Sequence, residues 1–163
     1  MGTNPKINVE VTLSERICTS VAVALIIATF ISALHTYLHV PAQVPIHFDL
    51  NNKPDRWGSS LTIFLLPLVS LILFIPIYLI GKKPHLHNYP IAVTESNAKQ
   101  LYQLSRLLVA VMNAEIALTF AVITLEIGVF MAGETFGMWP VVVCIALVIA
   151  TPIVFIMQMR RKG

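Results

Sequence analysis

The chain has 163 residues, is 56% hydrophobic and only 12% charged, and carries a formal net charge of +3; its mean hydropathy is +0.79. A soluble domain of this length would carry roughly 25% charged residues, so a water-soluble globular fold is excluded. The cationic excess calls for no nucleic-acid partner, because its uneven distribution along the chain has a membrane explanation.

The apolar residues fall in four blocks, 17–39, 61–80, 107–127 and 139–157. Each approaches or exceeds the roughly 20 residues needed to cross a bilayer. None alternates apolar and polar positions, so a β-barrel is excluded as well. The fold class is all-α: one polytopic membrane domain over residues 1–163, a four-transmembrane-helix up-down bundle with short connections.

In chain order, residues 1–16 read as a short, partly exposed lead-in. The first helix, 17–39, is too long for a secretory signal and reads as a retained span. A polar, turn-rich connection follows at 41–58, PAQVPIHFDLNNKPDRWG. The second helix, 61–80, contains Pro67 and Pro76, which are expected to kink it. The connection 81–100 ends in the helix-start residues Thr94 and Ser96. The third helix, 99–131, exceeds the hydrocarbon thickness at about 1.5 Å per residue, so its first turns should project from the membrane. A turn at 133–137 leads to the fourth helix, 139–158, bent at Pro152 and ending in Arg160, Arg161 and Lys162. Cys18 and Cys144 lie near opposite faces in this topology, which argues against a disulfide.

Orientation follows from Lys and Arg. One side holds Lys6, Arg16, Lys82, Lys83, Lys99, Arg106, Arg160, Arg161 and Lys162, and the other only Lys53 and Arg56. The positive-inside rule then predicts a multi-pass prokaryotic cell membrane protein with both termini cytoplasmic and residues 41–58 outside.

Within that outer loop, Pro41 and Pro45 hold the chain extended. Val44, Ile46 and Phe48 alternate with Pro45, His47 and Asp49, as in a short strand with one apolar face. Leu50, Asn51, Asn52 and Lys53 form a turn in which Asn tolerates left-handed backbone angles. Pro54 and Asp55 lead to Trp57 at the membrane interface, and Gly58, Ser59 and Ser60 open the next helix with a serine cap. Loops this long without regular structure are usually functional or disordered, and one this rich in proline and aromatic residues does not read as disordered. Two roles fit: a lid over the bundle end, or a ligand-or-partner surface made by Pro45, His47, Phe48, Asp49, Asn52, Pro54, Asp55, Trp57 and Gly58.

These residues resemble a known family. The pattern P-x-x-[IV]-P-x-H-F-[ND]-x-x-G-x-P-D-x-W-G-S-K is the hallmark of the DUF1648 domain of SdpI-like integral membrane proteins. Val44, Pro45, His47, Phe48, Asp49, Pro54, Asp55, Trp57, Gly58 and Ser59 stand where it requires them. Asn88, Tyr89 and Pro90 resemble the family's N-Y-P stretch after the second helix. Asn52 replaces the usual turn glycine and Ser60 the usual lysine. The resemblance implies protection against a secreted membrane-active peptide, and a cytoplasmic regulator as partner.

Polar residues inside the spans form a second set of candidates. Glu115 and Glu126 lie eleven residues apart in the third helix, so they fall about 20° apart on one face, while Asn113 shares a face with Arg106 and Thr124. Intramembrane carboxylates face the bundle interior and serve either as hydrogen-bonded glue or as a proton- or cation-responsive site. His35 and His39 have the i, i+4 spacing that can place two imidazoles on one metal ion. With His47 and Glu126 they form a candidate outer-face site for a divalent metal such as Zn²⁺; the alternative is that these histidines hydrogen-bond backbone. His85 and His87, in the cytoplasmic connection, read as a solvated pair.

No nucleophile elbow, phosphate loop or catalytic triad is present, so no catalytic residue is assigned and the reading leans away from an enzyme. Three functions follow, in order. The first is an SdpI-like protein that senses or protects against a membrane-active agent through its outer loop. The second is a proton- or metal-ion-linked carrier or binding protein. The third is a membrane-embedded enzyme on lipid-type substrates, with His47 and Asp49 or Asp55 as acid and base.

Overall fold

The computed structural model describes residues 4–49 and 51–162. Among the described residues, four helices are long and apolar enough to cross a membrane. They are α1 (Leu13–His39), α2 (Leu65–Gly81, preceded by a 3₁₀ turn at Ser60–Phe64), α3 (Ala98–Met131) and α4 (Trp139–Arg160). Between α1 and α2 two strands, β1 (Gln43–Phe48) and β2 (Pro54–Ser59), pair antiparallel.

The helix boundaries have local causes. Thr12 caps α1, its Oγ1 accepting from Glu15 N–H at 3.2 Å. Ser59 caps the 3₁₀ turn by accepting from Leu61 N–H, so a serine does open the second span. Pro67 sits in the first turn of α2, where its missing N–H has no intrahelical partner to lose, leaving Pro76 as the interior proline. α3 ends in a Schellman motif: Gly133, at φ 90°, donates to Phe130 O while Glu134 N–H donates to Val129 O.

α3 is the centre of the bundle. It packs against all three other helices, most extensively against α1, while α4 packs principally on α3. On α1 the buried positions Ala22, Ile26, Thr29, Ala33 and Thr36 recur every three or four residues. They face a similar series on α3, including Ala110, Asn113, Ala117 and Thr124. Between lipid-immersed helices there is no hydrophobic drive to associate, so attraction comes from close van der Waals contact that small residues permit. Gly128 marks a close approach: a Cβ there would lie 2.8 Å from Thr36 Oγ1.

Polar contacts show which ends meet. At the C-terminal end of α3, the β1–β2 turn and the α3–α4 turn come together. At its N-terminal end, Tyr102 donates to Pro5 O, and Asn4 donates to the carbonyls of His85 and His87. Residues 1–16, expected to be a short, partly exposed lead-in, are partly exposed where described but also pack on the bundle. Val9 is buried with Leu101, Tyr102 and Met159, and α1 already begins at Leu13. Arg106 donates to Val9 O at 2.7 Å and to Glu15 Oε1 at 2.8 Å, forming a buried ion pair. Removing one partner of such a pair costs about 3–5 kcal/mol because the other charge is left buried.

The α1–α3 approach yields a direct test. Gly128→Leu must force the two helices apart at Thr36, and overpacking of this kind costs about 1–3 kcal/mol. A lower thermal midpoint in detergent is expected, with Leu125→Ala on the exposed face of α3 leaving it nearly unchanged.

Candidate functional site

The extended proline-rich segment folds as a bulged hairpin. Val44 pairs with Gly58, Pro45 with Trp57, His47 with Arg56 and Phe48 with Pro54, with register shifts around His47. The bulge at Ile46 breaks the alternation expected from sequence. Val44 and Pro45 are both buried, whereas Ile46 is exposed and lies over Gly58, where a Cβ would come 2.9 Å from its Cγ2. The second strand was not foreseen from sequence, because P-D-R-W-G-S has little of the β-branched pattern that marks strands.

Asp49 organises the turn. Its Oδ1 accepts from Asn51 N–H and Lys53 N–H, each at 2.8 Å. The Lys53 backbone N–H is the largest influence and, together with the Asn51 donors, holds the carboxyl below the ordinary value of 3.8 against the opposing effect of desolvation. Asn52 takes φ 58°, the left-handed conformation that glycine would otherwise supply. Leu50, assigned to the same turn from sequence, lies outside the described residues.

Asn52 also ties the hairpin to the bundle. Its Nδ2 donates to Glu126 Oε1 at 3.2 Å and to Thr135 Oγ1 at 2.5 Å. Thr135 O–H donates to the same Oε1, and Phe136 N–H donates to Oε2 at 3.1 Å. Glu126, buried on α3, therefore accepts from both connections at this end of the bundle. Phe48 packs edge-on to Phe130 with ring centroids 5.4 Å apart, and Trp57 lies 6.5 Å from the same ring.

The outward face carries the remaining motif residues. His47 Nδ1 lies 2.5 Å from Asp55 Oδ1, with the two side chains 59% and 48% exposed, so solvent screening leaves the pair little structural weight. Trp57 is 49% exposed. Beneath the hairpin, an apolar groove of about 220 Å³ is bounded by Val44, Ile46, Phe48, Ile63, Leu66 and Ile123, among others.

The candidate metal ligands do not gather. His35 and His39 stack at 4.4 Å beside a groove between α1 and α3, and His39 Nδ1 contacts His35 O at 2.8 Å. His47 turns instead to Asp55, and the carboxylate of Glu126 is taken up by Asn52, Thr135 and Phe136. Among the described residues, no group of three or more His, Cys, Asp or Glu comes together to hold a metal ion.

Inside the bundle, Asn113 Nδ2 donates to Phe74 O at 3.5 Å, and Thr151 of α4 donates to Glu115 Oε1 at 2.5 Å. Glu115 and Glu126 thus share a face of α3 but serve different partners. At the far end Tyr89, from the N-Y-P stretch, donates to Pro84 O and meets Ser105 Oγ at 2.8 Å. Burial pushes its hydroxyl up to about 12, against a lowering effect of Ser105. His87 Nε2 contacts Ile80 O at 3.0 Å, so this histidine braces the connection. Glu15 was missed from sequence, although Thr12-Leu13-Ser14-Glu15 fits a capping box; its side chain is diverted to Arg106.

Two outcomes are expected. Glu126→Ala strands the Asn52, Thr135 and Phe136 donors and should cost about 3 kcal/mol in thermal or denaturant unfolding. Glu126→Gln, which keeps one acceptor oxygen, should cost less. For Asp49, whose native carboxyl is held below its unfolded value, the stabilising effect is complete above 3.8 and is lost as pH falls through the lower native value. An NMR titration should place its midpoint below 3.8, and Asp49→Asn should remove the acid-side loss of turn structure.

Residues 24–71 match the family described as Domain of unknown function (DUF1648), a segment that includes the whole hairpin. Immunity protein SdpI of Bacillus subtilis (strain 168) is 25% identical to this chain over 115 residues, 68% of the chain and 55% of the relative. The chain thus spans about half the length of that curated relative. No solved structure matches it. The hairpin motif, the family match over residues 24–71 and the relative together support a DUF1648/SdpI-like family, and the four long apolar helices among the described residues accord with a multi-pass membrane protein.

Proposed function

We propose that the hairpin is an extracytoplasmic recognition surface through which the protein senses, or protects the membrane from, a membrane-active peptide. The observation that carries this reading is the division of labour within the motif. Val44, Pro45 and Asn52 hold the hairpin to the bundle, His47, Asp55 and Trp57 stay exposed, and an apolar groove lined by other hairpin residues lies beneath. An aromatic ring, an ionisable pair and an adjoining groove suit an amphipathic peptide, which needs both apolar and polar contacts. The named role of the relative as an immunity protein agrees with it.

The orientation in this proposal rests on charge. Nine of the eleven Lys and Arg residues belong to the end opposite the hairpin, so both termini are assigned to the cytoplasm of a prokaryotic cell. A cytoplasmic regulator would then meet the 82–97 connection and the N-terminal segment, which pack together there.

A second reading, a proton- or ion-linked carrier, draws on one observation: Glu115 Oε2 is buried without a partner, and lone intramembrane carboxyl groups often mark ion pathways. The two readings separate experimentally. Under the first, deletion of the gene raises sensitivity to membrane-active peptides, and Trp57→Ala or a His47→Ala/Asp55→Ala pair reproduces the deletion at normal protein levels. Glu115→Gln should then leave protection intact. Unchanged sensitivity across a broad peptide panel would count against the hairpin role, and proton or cation flux into liposomes abolished by Glu115→Gln would favour the carrier.

A further inference from the structure

A small cavity of mixed apolar and polar lining lies far from the hairpin, between the first turns of α1, the last turns of α2 and the N-terminal half of α3. Its lining includes Glu15, Thr19, Tyr78, Lys82, Arg106 and Asn113, and its volume is about 10 Å³. Two of these side chains carry a buried polar atom with no protein partner: the donor Nε of Arg106 and the acceptor Oδ1 of Asn113. The two residues are only 7% and 3% exposed. Their other groups are engaged, Arg106 with Val9 O and Glu15, and Asn113 with Phe74 O.

We propose that this cavity is a built hydration site, in which bound water accepts from Arg106 Nε–H and donates to Asn113 Oδ1. Size limits the occupant, since about 10–15 Å³ of such volume holds a single water. Hydrogen-bond polarity limits it further. A halide would satisfy Nε–H but face the lone pairs of Oδ1. A metal cation would suit Oδ1 but lie against a guanidinium. Water is the small species that accepts at one end and donates at the other. The site joins the Glu15–Arg106 pair to Asn113, and through Phe74 O to α2, so that three helices share one polar network within the span. Such a network is stable in a low-dielectric interior only when every member is satisfied. This inference does not depend on the role of the hairpin.

A high-resolution crystal structure of the full chain is expected to show solvent density within hydrogen-bond distance of Arg106 Nε and Asn113 Oδ1. An ordered cavity without density, or one holding a halide or metal ion, overturns the proposal. Asn113→Leu gives an independent reading. If the site is hydrated, leucine expels the water and strands Arg106 Nε, and the thermal midpoint falls by about 3 °C or more. If the cavity is dry, leucine fills a void and removes an orphaned acceptor, so the midpoint rises and the proposal fails. Should Asn113→Leu not fold, the density in the unsubstituted protein decides.

Discussion

The close approach of α1 and α3 is the contact on which the rest of the molecule depends. Lipid offers these helices as apolar an environment as they offer each other, so burial of apolar surface does not hold them together. What holds them is a seam of alanine, threonine and glycine, with little room where Gly128 meets Thr36. Everything else hangs from α3. α2 packs on it with Gly81 against Val109, α4 adds the Thr151–Glu115 bond, and the hairpin is seated on the end that the seam brings into register.

At each end of this seam an ionisable side chain is buried and hydrogen-bonded, but by different chemistry. At the hairpin end the Glu126 carboxylate is surrounded by neutral donors from two connections. At the opposite end Arg106 is matched by a carboxylate and a carbonyl from the N-terminal segment. Both arrangements avoid an uncompensated charge at low dielectric, and both use it to fix a connection that would otherwise be free. Local loop structure is thereby coupled to helix packing: a shift of α3 along α1 would move both anchors together.

The motif residues separate by role once the hairpin is seen. Gly58 is small because Ile46 lies over it, Asn52 is tolerated at a glycine position because it takes a positive φ and gains Glu126 as a partner, and Ser59 caps the following turn. These are architectural uses. His47 and Asp55 have no comparable structural employment and Trp57, though it reaches the Phe130 ring, stays half-exposed; residues held in place at the surface by a rigid scaffold are where recognition is concentrated. The two histidines at the end of α1 belong to neither group. Their rings stack on each other, and the other proposed ligands turn elsewhere.

The sequence by itself determined the membrane class, the four spans, the charge asymmetry and the family motif. Each of these is written in contiguous residues: long apolar blocks, Lys and Arg at one set of connections, a fixed spacing of Pro, His, Asp and Trp. It also placed Glu115 and Glu126 on one face of a helix, because helical periodicity is a local rule. It could not show that Glu126 serves the hairpin turn, that Glu15 leaves its own helix cap for Arg106, or that a second strand forms over Pro54–Ser59. Those outcomes pair residues 74, 91 or about a dozen positions apart, and no local preference encodes such partners. Tertiary structure decided them, because buried polar groups must find donors or acceptors wherever packing brings them within reach.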